Sequence, residues 1–121
     1  MKILITGSAG FLGKNIFNYL KNKHEVYGIS RRISPTTTHH HDLTNKDVWK
    51  ILDKINPDAI VHTAALTSVD YCETHDEEAW KANVTATENL VAWCKKNNRK
   101  IIYISTDYVY PGISNNYNED S

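Results

Sequence analysis

Short apolar runs alternate along the chain with longer segments whose apolar residues recur every three or four positions. The short runs predict strands, and they lie at Lys2–Thr6, Glu25–Ser30, Thr37–Asp42, Asp58–His62 and Lys100–Ser105. An alternation of strand and helix indicates parallel strands joined by helical crossovers. We therefore expect an α/β fold, with a doubly wound parallel sheet between two helical layers and the strand order 3-2-1-4-5.

Three longer segments have the periodicity of amphipathic helices, at about 10–22, 44–56 and 76–97. Each is expected to bury one apolar face against the sheet. The predicted faces consist of Leu12, Ile16, Tyr19 and Leu20, then Val48, Ile51, Leu52 and Ile55, and then Ala79, Ala86, Leu90 and Cys94. The predicted N-terminal capping pairs are Thr44 with Asp47 and Thr74 with Glu77.

A chain of 121 residues is enough for one domain, and its charge balance narrows the range of partners. The 14 basic and 14 acidic side chains give a net charge of zero, which favours neither a nucleic acid nor a membrane surface. No apolar run has the length of a membrane span, and Met1–Thr6 is typical of a first strand rather than a signal peptide. We therefore expect a cytoplasmic protein in which Cys72 and Cys94, which lack CxxC spacing, are reduced thiols.

A glycine pattern follows the first predicted strand and opens the first predicted helix. Its G-x-x-G-x-x-G spacing places Gly7 at a tight turn, Gly10 where a pyrophosphate approaches the backbone, and Gly13 where helix and strand pack closely. The free N–H groups and the dipole at the helix start would bind the anion. This context predicts dinucleotide binding on a Rossmann-type sheet, and the alternative is a purely structural glycine-rich turn.

The residues after the second predicted strand bear on which dinucleotide is bound. NAD-binding folds usually place Asp or Glu there to hold the ribose hydroxyls. This chain has Ser30, Arg31 and Arg32 and no acid, and two guanidinium groups suit a 2′-phosphate. The sequence therefore favours NADP(H) over NAD(H), and the alternative is that both arginines are solvated surface charges.

The run from His39 to Asp42 has the composition of a metal site but not its spacing. On a strand, the middle histidine of the three would face away from its neighbours. Structural zinc sites usually spread their ligands more widely along the chain. We expect a solvated histidine run on an edge strand and no bound metal.

Four segments of the chain follow one another in a distinctive order: the glycine loop, Asp42-Leu43, His62-Thr63-Ala64-Ala65 and Tyr103–Val109. Together they resemble the extended short-chain dehydrogenases/reductases, and most closely the dTDP-4-dehydrorhamnose reductases. The S-T-D-Y-V-F-x-G stretch of that family is matched by Ser105–Gly112, with Tyr110 in place of the Phe. The resemblance covers nearly the whole chain.

The resemblance implies a role for each matching residue. The implied cofactor contacts are Gly10, Phe11 and Leu12 at the pyrophosphate, Asp42 and Leu43 at the adenine, Ala64, Ala65, Leu66 and Thr67 beneath the cofactor, and Tyr103 near the nicotinamide ribose. Thr106 would be the catalytic hydroxyl that hydrogen-bonds the keto oxygen of the substrate, and Asp107 would neighbour the substrate. A developing alkoxide needs such hydrogen-bond donors, while the cofactor carries the electrons.

The proton donor of the family, a Tyr followed four residues later by Lys, has no counterpart at the matching part of this sequence. Tyr19 and Lys23 have the spacing but lie in the first predicted helix. Tyr117–Asp120 resembles the segment that precedes the Tyr–Lys helix of the family. We therefore expect residues 1–121 to be an incomplete NAD(P)-binding domain without the C-terminal substrate domain, and to be inactive alone.

Two classes of function stay open from the sequence. In the first, the complete protein is an enzyme, with a homodimer as one expected state. The resemblance implies that it reduces a 4-keto-6-deoxy nucleotide sugar with NADPH in dTDP-rhamnose biosynthesis. A sugar-nucleotide epimerase or dehydratase is a rival, although the missing acid argues against tightly bound NAD. The second class is a non-catalytic regulatory module that binds a dinucleotide and a partner enzyme.

Overall fold

The computed structural model describes residues 1–63, 77 and 84–104. Within them a five-stranded sheet forms from β1 (Lys2–Thr6), β2 (Glu25–Ser30), β3 (His39–His40), β4 (Ala59–His62) and β5 (Lys100–Tyr103). The strands lie in the order β3-β2-β1-β4-β5, and every neighbouring pair is parallel. The predicted fold class and strand order are confirmed.

The helices that pack on this sheet are α1 (Phe11–Leu20), α2 (Val48–Ile55) and α3 (Ala86–Asn97). The last two end at Asn56 and Asn98, whose φ angles of 52° and 55° are left-handed. Asparagine tolerates this conformation better than most residues with a side chain, so both helices stop there and the chain turns into the next strand. Within the described residues, no helix has both the length and the apolar character that crossing a membrane requires.

The core has two parts because successive side chains of β1 point to opposite faces of the sheet. Ile3 and Ile5 pack with Phe17 of α1 on one face. Leu4 packs on the other face in a larger cluster that includes Trp93 of α3. This larger cluster also contains Leu52 of α2, so that helix layers cover both faces, as the sequence predicts.

The buried face of α1 differs from the predicted one. Tyr19 is 66% exposed and Leu12 is 43% exposed, so neither belongs to it. The buried row instead consists of Gly13, Ile16, Phe17 and Leu20. The prediction is confirmed for Ile16 and Leu20 and wrong for Leu12 and Tyr19, because the close contact of Gly13 with the sheet turns the face that contains Phe17 inward.

The predicted faces of the other two helices are confirmed where the structure describes them. The buried members are Val48, Leu52, Ile55, Ala86, Leu90 and Cys94, and Ile51 is partly buried against them. Cys94 is a free thiol, and burial raises its pKa. Cys72, Ala79 and the capping residue Thr74 lie outside the described residues.

The predicted capping pair of α2 is not formed. Thr44 donates both its backbone N–H and its hydroxyl to Asp42 Oδ1, at 2.9 and 2.8 Å. Asp47 occupies the N-cap position but makes no side-chain cap hydrogen bond. Asp42 therefore holds Thr44 in a local turn, and Thr44 lies outside the helix.

The third strand is shorter than predicted. Only His39–His40 pair with β2, whereas the prediction ran over Thr37–Asp42. Thr37 instead closes a turn, with its N–H donating to Ser34 O at 3.0 Å. The segment before β3 is consequently a compact loop that lies beside the start of α1.

Candidate functional site

The segment that connects β1 to the first turn of α1, here called the glycine loop (Gly7–Gly13), lies at the carboxyl edge of the sheet. Gly7 has a φ of 67°, a left-handed conformation that favours glycine, and its N–H donates to Ile29 O at 2.9 Å. Gly10 then closes the turn, with its N–H donating to Gly7 O at 3.0 Å. The tight turn predicted at Gly7 is present, and it folds the loop over the end of β2.

Gly13 makes the close contact between α1 and the sheet that the sequence predicts. A Cβ built on it would lie 2.1 Å from Gly7 O and 2.9 Å from Thr63 Oγ1. No side chain fits at these distances. The first turn of α1 therefore lies directly against the ends of β1 and β4.

The start of α1 is open to an anion. Gly10 is the N-cap residue, it makes no side-chain cap hydrogen bond, and the first turn contains no acidic residue. The first N–H groups of a helix have no intrahelical acceptor, and the helix dipole is positive at this end. Phe11 and Leu12, both exposed, flank this end. The donors present here therefore fit a pyrophosphate.

The predicted cofactor-binding residues Ser30, Arg31 and Arg32, here called the arginine arm, begin at the last residue of β2 and lie at the same edge. Arg32 Nη2 donates to Ala9 O of the glycine loop at 3.2 Å. Ser30 Oγ accepts the N–H of Arg32 at 3.1 Å, which turns the chain at the end of the strand. Both arginines are exposed. The structure thus brings the arginine arm and the glycine loop together.

Asp42 and Leu43 lie one strand further along the sheet and differ in exposure. The Leu43 side chain is buried in the core, and its carbonyl accepts a hydrogen bond from Asn89 Nδ2 at 2.9 Å. An adenine contact from Leu43 would therefore have to come from its backbone. Burial acts to raise the pKa of the exposed Asp42 carboxyl, but hydrogen bonds from Thr44 and the nearby charge of Arg31 outweigh it and lower the pKa.

His62, at the end of β4, is a buried residue whose importance the sequence analysis missed. Its Nδ1 lies 2.6 Å from Thr6 Oγ1, and its Nε2 lies 2.8 Å from Thr87 Oγ1 at the start of α3. Burial lowers the pKa of His62 to about 4, so the ring is neutral at pH 7. The Thr63 hydroxyl donates to Thr6 O at 2.5 Å. These contacts join β1, β4 and α3 directly beneath the glycine loop.

The remaining predicted site residues are only partly described. Tyr103 ends β5 with a half-exposed ring, whose centroid lies 5.8 Å from that of His62. This places it at the same edge of the sheet as the glycine loop. The predicted residues that lie outside the described part of the chain are Ala64, Ala65, Leu66, Thr67, Thr106 and Asp107. Their roles stay predictions.

The histidine run does not converge in the described structure. His39 Nδ1 lies 2.9 Å from Thr38 Oγ1, whereas His40 Nε2 donates to the Arg31 carbonyl at 2.6 Å. In the part of the chain that the structure describes, no three His, Cys, Asp or Glu side chains are grouped to hold a metal ion.

A known family matches the sequence that forms this site. The family model described as the RmlD substrate binding domain matches residues 1–121. The chain belongs to the RmlD substrate binding domain family. The resemblance to dTDP-4-dehydrorhamnose reductases is likewise confirmed, because curated relatives and solved structures with that name match nearly the whole chain.

Two curated relatives illustrate the range of this family. A dTDP-4-dehydrorhamnose reductase of Aggregatibacter actinomycetemcomitans is 34% identical over 120 residues, which cover 98% of this chain and 39% of the relative. Methionine adenosyltransferase 2 subunit beta of Bos taurus is also 34% identical, over 121 residues that cover 98% of this chain and 36% of the relative. The chain therefore spans less than half the length of these relatives.

Solved structures of RmlD-type proteins share the fold closely. A hypothetical dTDP-4-dehydrorhamnose reductase from Sulfolobus tokodaii has a TM-score of 0.92 and 36% identity, covering 100% of this chain and 45% of that chain. A dTDP-4-dehydrorhamnose reductase from Bacillus anthracis str. Ames, solved in complex with NADP, has a TM-score of 0.83 and 30% identity, covering 93% of this chain and 39% of that chain. Several of the named relatives are thus reductases of dTDP-linked sugars, whereas methionine adenosyltransferase 2 subunit beta carries a different name.

Proposed function

We propose that residues 1–121 form the dinucleotide-binding part of an NADPH-dependent reductase, whose complete form reduces a 4-keto-6-deoxy nucleotide sugar. One observation carries the cofactor assignment: the arginine arm meets the glycine loop, with Arg32 Nη2 at 3.2 Å from Ala9 O. This contact joins a site for the pyrophosphate to a pair of cations suited to a 2′-phosphate. The reductase names and the NADP complex among the relatives support the proposal.

The glycine loop would hold the pyrophosphate by its backbone. Gly10 and the first turn of α1 present N–H groups without a competing acidic side chain. The absence of a side chain at Gly10 lets the phosphates approach the loop. Binding here orients the dinucleotide along the carboxyl ends of β1 and β4, where ligands of such sheets lie.

Arg31 and Arg32 would distinguish NADP from NAD. Each guanidinium has several N–H donors in a planar fork that matches phosphate oxygens. An acid at this position would repel the 2′-phosphate, and none is present in the arginine arm. The same absence argues against the rival epimerase or dehydratase with tightly held NAD.

The reduction itself would draw on the segment after β5. The nicotinamide, when bound, supplies the hydride, and this chain orients it. The hydroxyl of Thr106 would donate a hydrogen bond to the keto oxygen of the sugar as negative charge develops there. Tyr103 would lie beside the nicotinamide ribose, and Asp107 would contact the substrate.

Substitutions in the two parts of the site test this proposal separately. We expect replacing both Arg31 and Arg32 with Ala to weaken NADP⁺ binding roughly tenfold while changing NAD⁺ binding less than about twofold, as lost charged hydrogen bonds to the 2′-phosphate require. Lys14→Ala, which removes one exposed cation from α1, is the control. Equal losses for both dinucleotides, measured by calorimetric titration, would refute the assignment of the arginine arm.

The role of Thr106 requires a kinetic measurement in the complete protein. Thr106→Val should lower kcat about 100-fold with a dTDP-4-keto-6-deoxy sugar and leave the Kd for NADP⁺ within about twofold. Thr106→Ser should recover most of the rate. A Val variant with wild-type turnover would show that this hydroxyl does not act in the reaction.

A non-catalytic regulatory module is the second candidate. It is favoured by the relative named as the beta subunit of methionine adenosyltransferase 2, since that name describes a component of another enzyme. A Tyr-x-x-x-Lys pair in the sequence after Ser121, together with NADPH-dependent turnover, identifies the reductase. Dinucleotide binding without that pair and without turnover identifies the module.

A further inference from the structure

The loop between β2 and β3 (residues 31–38) contacts the glycine loop through Thr36. Thr36 Oγ1 donates to Ser8 O at 2.5 Å, across 28 positions of sequence. Thr36 is 4% exposed and Ser8 is fully buried, so this hydrogen bond is shielded from water. The contact of Arg32 with Ala9, by comparison, is made by an exposed side chain that water or a ligand can displace.

The Thr36 side chain is itself fixed by its own loop. Ser34 Oγ lies 3.2 Å from Thr36 Oγ1 and 2.8 Å from Thr37 Oγ1. Thr37 Oγ1 also lies 2.9 Å from Arg32 O, to which it donates. Because the Thr36 and Thr37 hydroxyls both donate to carbonyls, the one proton of Ser34 can be donated to only one of them, and the Thr36 N–H donates to Ser34 Oγ at 3.3 Å. Ser34 therefore links the arginine arm to Thr36, which reaches the backbone of the glycine loop.

Gly28 of β2 allows this close packing. A Cβ built there would lie 2.0 Å from Thr36 O and 2.6 Å from Ser8 Oγ. Any larger residue would push the β2–β3 loop and the glycine loop apart. The sequence thus has its smallest residue at the point where both loops converge on the sheet.

The spacing of the two loops matters for a ligand that binds both. In NADP, the adenosine holds the 2′-phosphate and the pyrophosphate at a limited range of distances. Protein groups that already have the matching separation bind with a lower ordering cost. NAD lacks the 2′-phosphate, so its binding depends much less on where the arginine arm lies.

We propose that Thr36 is a positioning residue whose buried hydrogen bond to Ser8 fixes the arginine arm relative to the glycine loop and thereby sets the preference for a dinucleotide with a 2′-phosphate. This inference rests on the proposed function, because it takes both loops to be cofactor-binding. Thr36 itself acts through its neighbours and contacts no ligand in this scheme.

The test compares hydroxyl removal at two threonines of the same loop in the purified protein. Thr36→Val should weaken NADP⁺ binding about fivefold, the loss expected for one hydrogen bond, and NAD⁺ binding less than about twofold. Thr36→Ser should restore the wild-type Kd for NADP⁺. Thr38→Val is the matched control. Among the described contacts, the Thr38 hydroxyl bonds only the Gly28 backbone and the adjacent His39 ring. In this variant the Kd values for NADP⁺ and NAD⁺ should change by the same factor.

Adenosine 2′-monophosphate separates spacing from direct phosphate contact. It carries the 2′-phosphate without a pyrophosphate, so Thr36→Val should leave its Kd within about twofold of wild type. If Thr36→Val does not fold, as judged by thermal unfolding, Thr36→Ala serves the same comparison without a methyl group in place of the hydroxyl.

The outcomes distinguish this proposal from the one on which it rests. Wild-type protein that binds neither dinucleotide overturns both. A wild-type protein that prefers NADP⁺, with the same preference in Thr36→Val, overturns the positioning role alone. Weakened binding of adenosine 2′-monophosphate in Thr36→Val also overturns it, because the loss would then lie within the arginine arm.

Discussion

His62 combines full burial with two polar contacts, which explains why it stays neutral. Its side chain is 1% exposed, and both ring nitrogens lie within hydrogen-bond distance of threonine hydroxyls, those of Thr6 and Thr87. Hydrogen bonds to hydroxyls replace the water that a neutral imidazole loses on burial, but they cannot offset the larger desolvation cost of a charged imidazole. The ring therefore connects the strand ends beneath the glycine loop as long as it carries no charge.

The depressed pKa of His62 predicts a pH-dependent stability. The unfolded ring takes up a proton near pH 6.5, whereas the folded ring does so only near pH 4. The contribution of the neutral His62 ring to the free energy of unfolding is therefore fully present above pH 6.5. It is lost as the pH falls to 4, and the loss amounts to at most about 3 kcal/mol. Urea unfolding at a series of pH values measures this change.

Substitution of His62 provides the control for that measurement. His62→Asn should be less stable than wild type at pH 8, by about 1–3 kcal/mol for the lost buried hydrogen bonds. It should also show a flatter dependence of the free energy of unfolding between pH 6.5 and 4. His24→Asn, at a partly exposed position after α1, should retain the wild-type slope. An unchanged slope in His62→Asn would contradict the assignment.

At the scale of the element, α1 is positioned by a glycine rather than by its largest side chain. Gly13 lets the helix start lie against Gly7 and Thr63, and Phe17 then packs one turn later on Ile3 and Ile5. The close approach and the hydrophobic contact lie on the same face of the helix. The Gly13 contact and the Phe17 packing together set the position of the N-terminal N–H groups of α1 above the sheet.

Gly13→Ala should therefore displace α1. The added Cβ would lie 2.1 Å from a backbone oxygen, so the helix must shift, and we expect a loss of about 1–3 kcal/mol in stability together with weaker NADP⁺ binding. Lys14→Ala, at the neighbouring exposed position, should change neither. Thermal unfolding and calorimetric titration measure the two effects. A Gly13→Ala protein with wild-type stability and affinity would show that the contact at Gly13 does not position the helix.

The elements show what a sequence pattern specifies and what it leaves open. The strand order could be predicted from the alternation of strands and helices, because parallel strands are joined by right-handed crossovers and few sheet topologies satisfy that rule. The roles of Gly7 and Gly13 follow from their spacing after a strand. The buried face of α1 and the N-terminus of α2 did not follow, since they depend on which side chain reaches a partner first. The hydroxyl of Thr36 was also missed, because a contact across 28 residues has no local sequence signature.

At the scale of the whole molecule, the proposed dinucleotide site occupies only a small part of the protein. The glycine loop and arginine arm both lie within the first 32 residues and rest on one continuous sheet. The relatives that match this chain are more than twice as long, with only 39% and 36% of their lengths covered. Under the proposed function, dinucleotide binding requires less of the molecule than turnover does.

This separation predicts that residues 1–121 bind NADP⁺ but do not reduce a nucleotide sugar. The chain carries Thr106, yet it has no Tyr-x-x-x-Lys pair beyond β5 to protonate the developing alkoxide. Saturating NADP⁺ should raise the melting temperature of the purified chain, because the ligand binds only the folded state. NADPH consumption with a dTDP-4-keto-6-deoxy sugar should equal that of the no-protein control. Sustained turnover would place the proton donor within these residues and contradict the division. Absence of a thermal shift would contradict the prediction that residues 1–121 bind the dinucleotide by themselves.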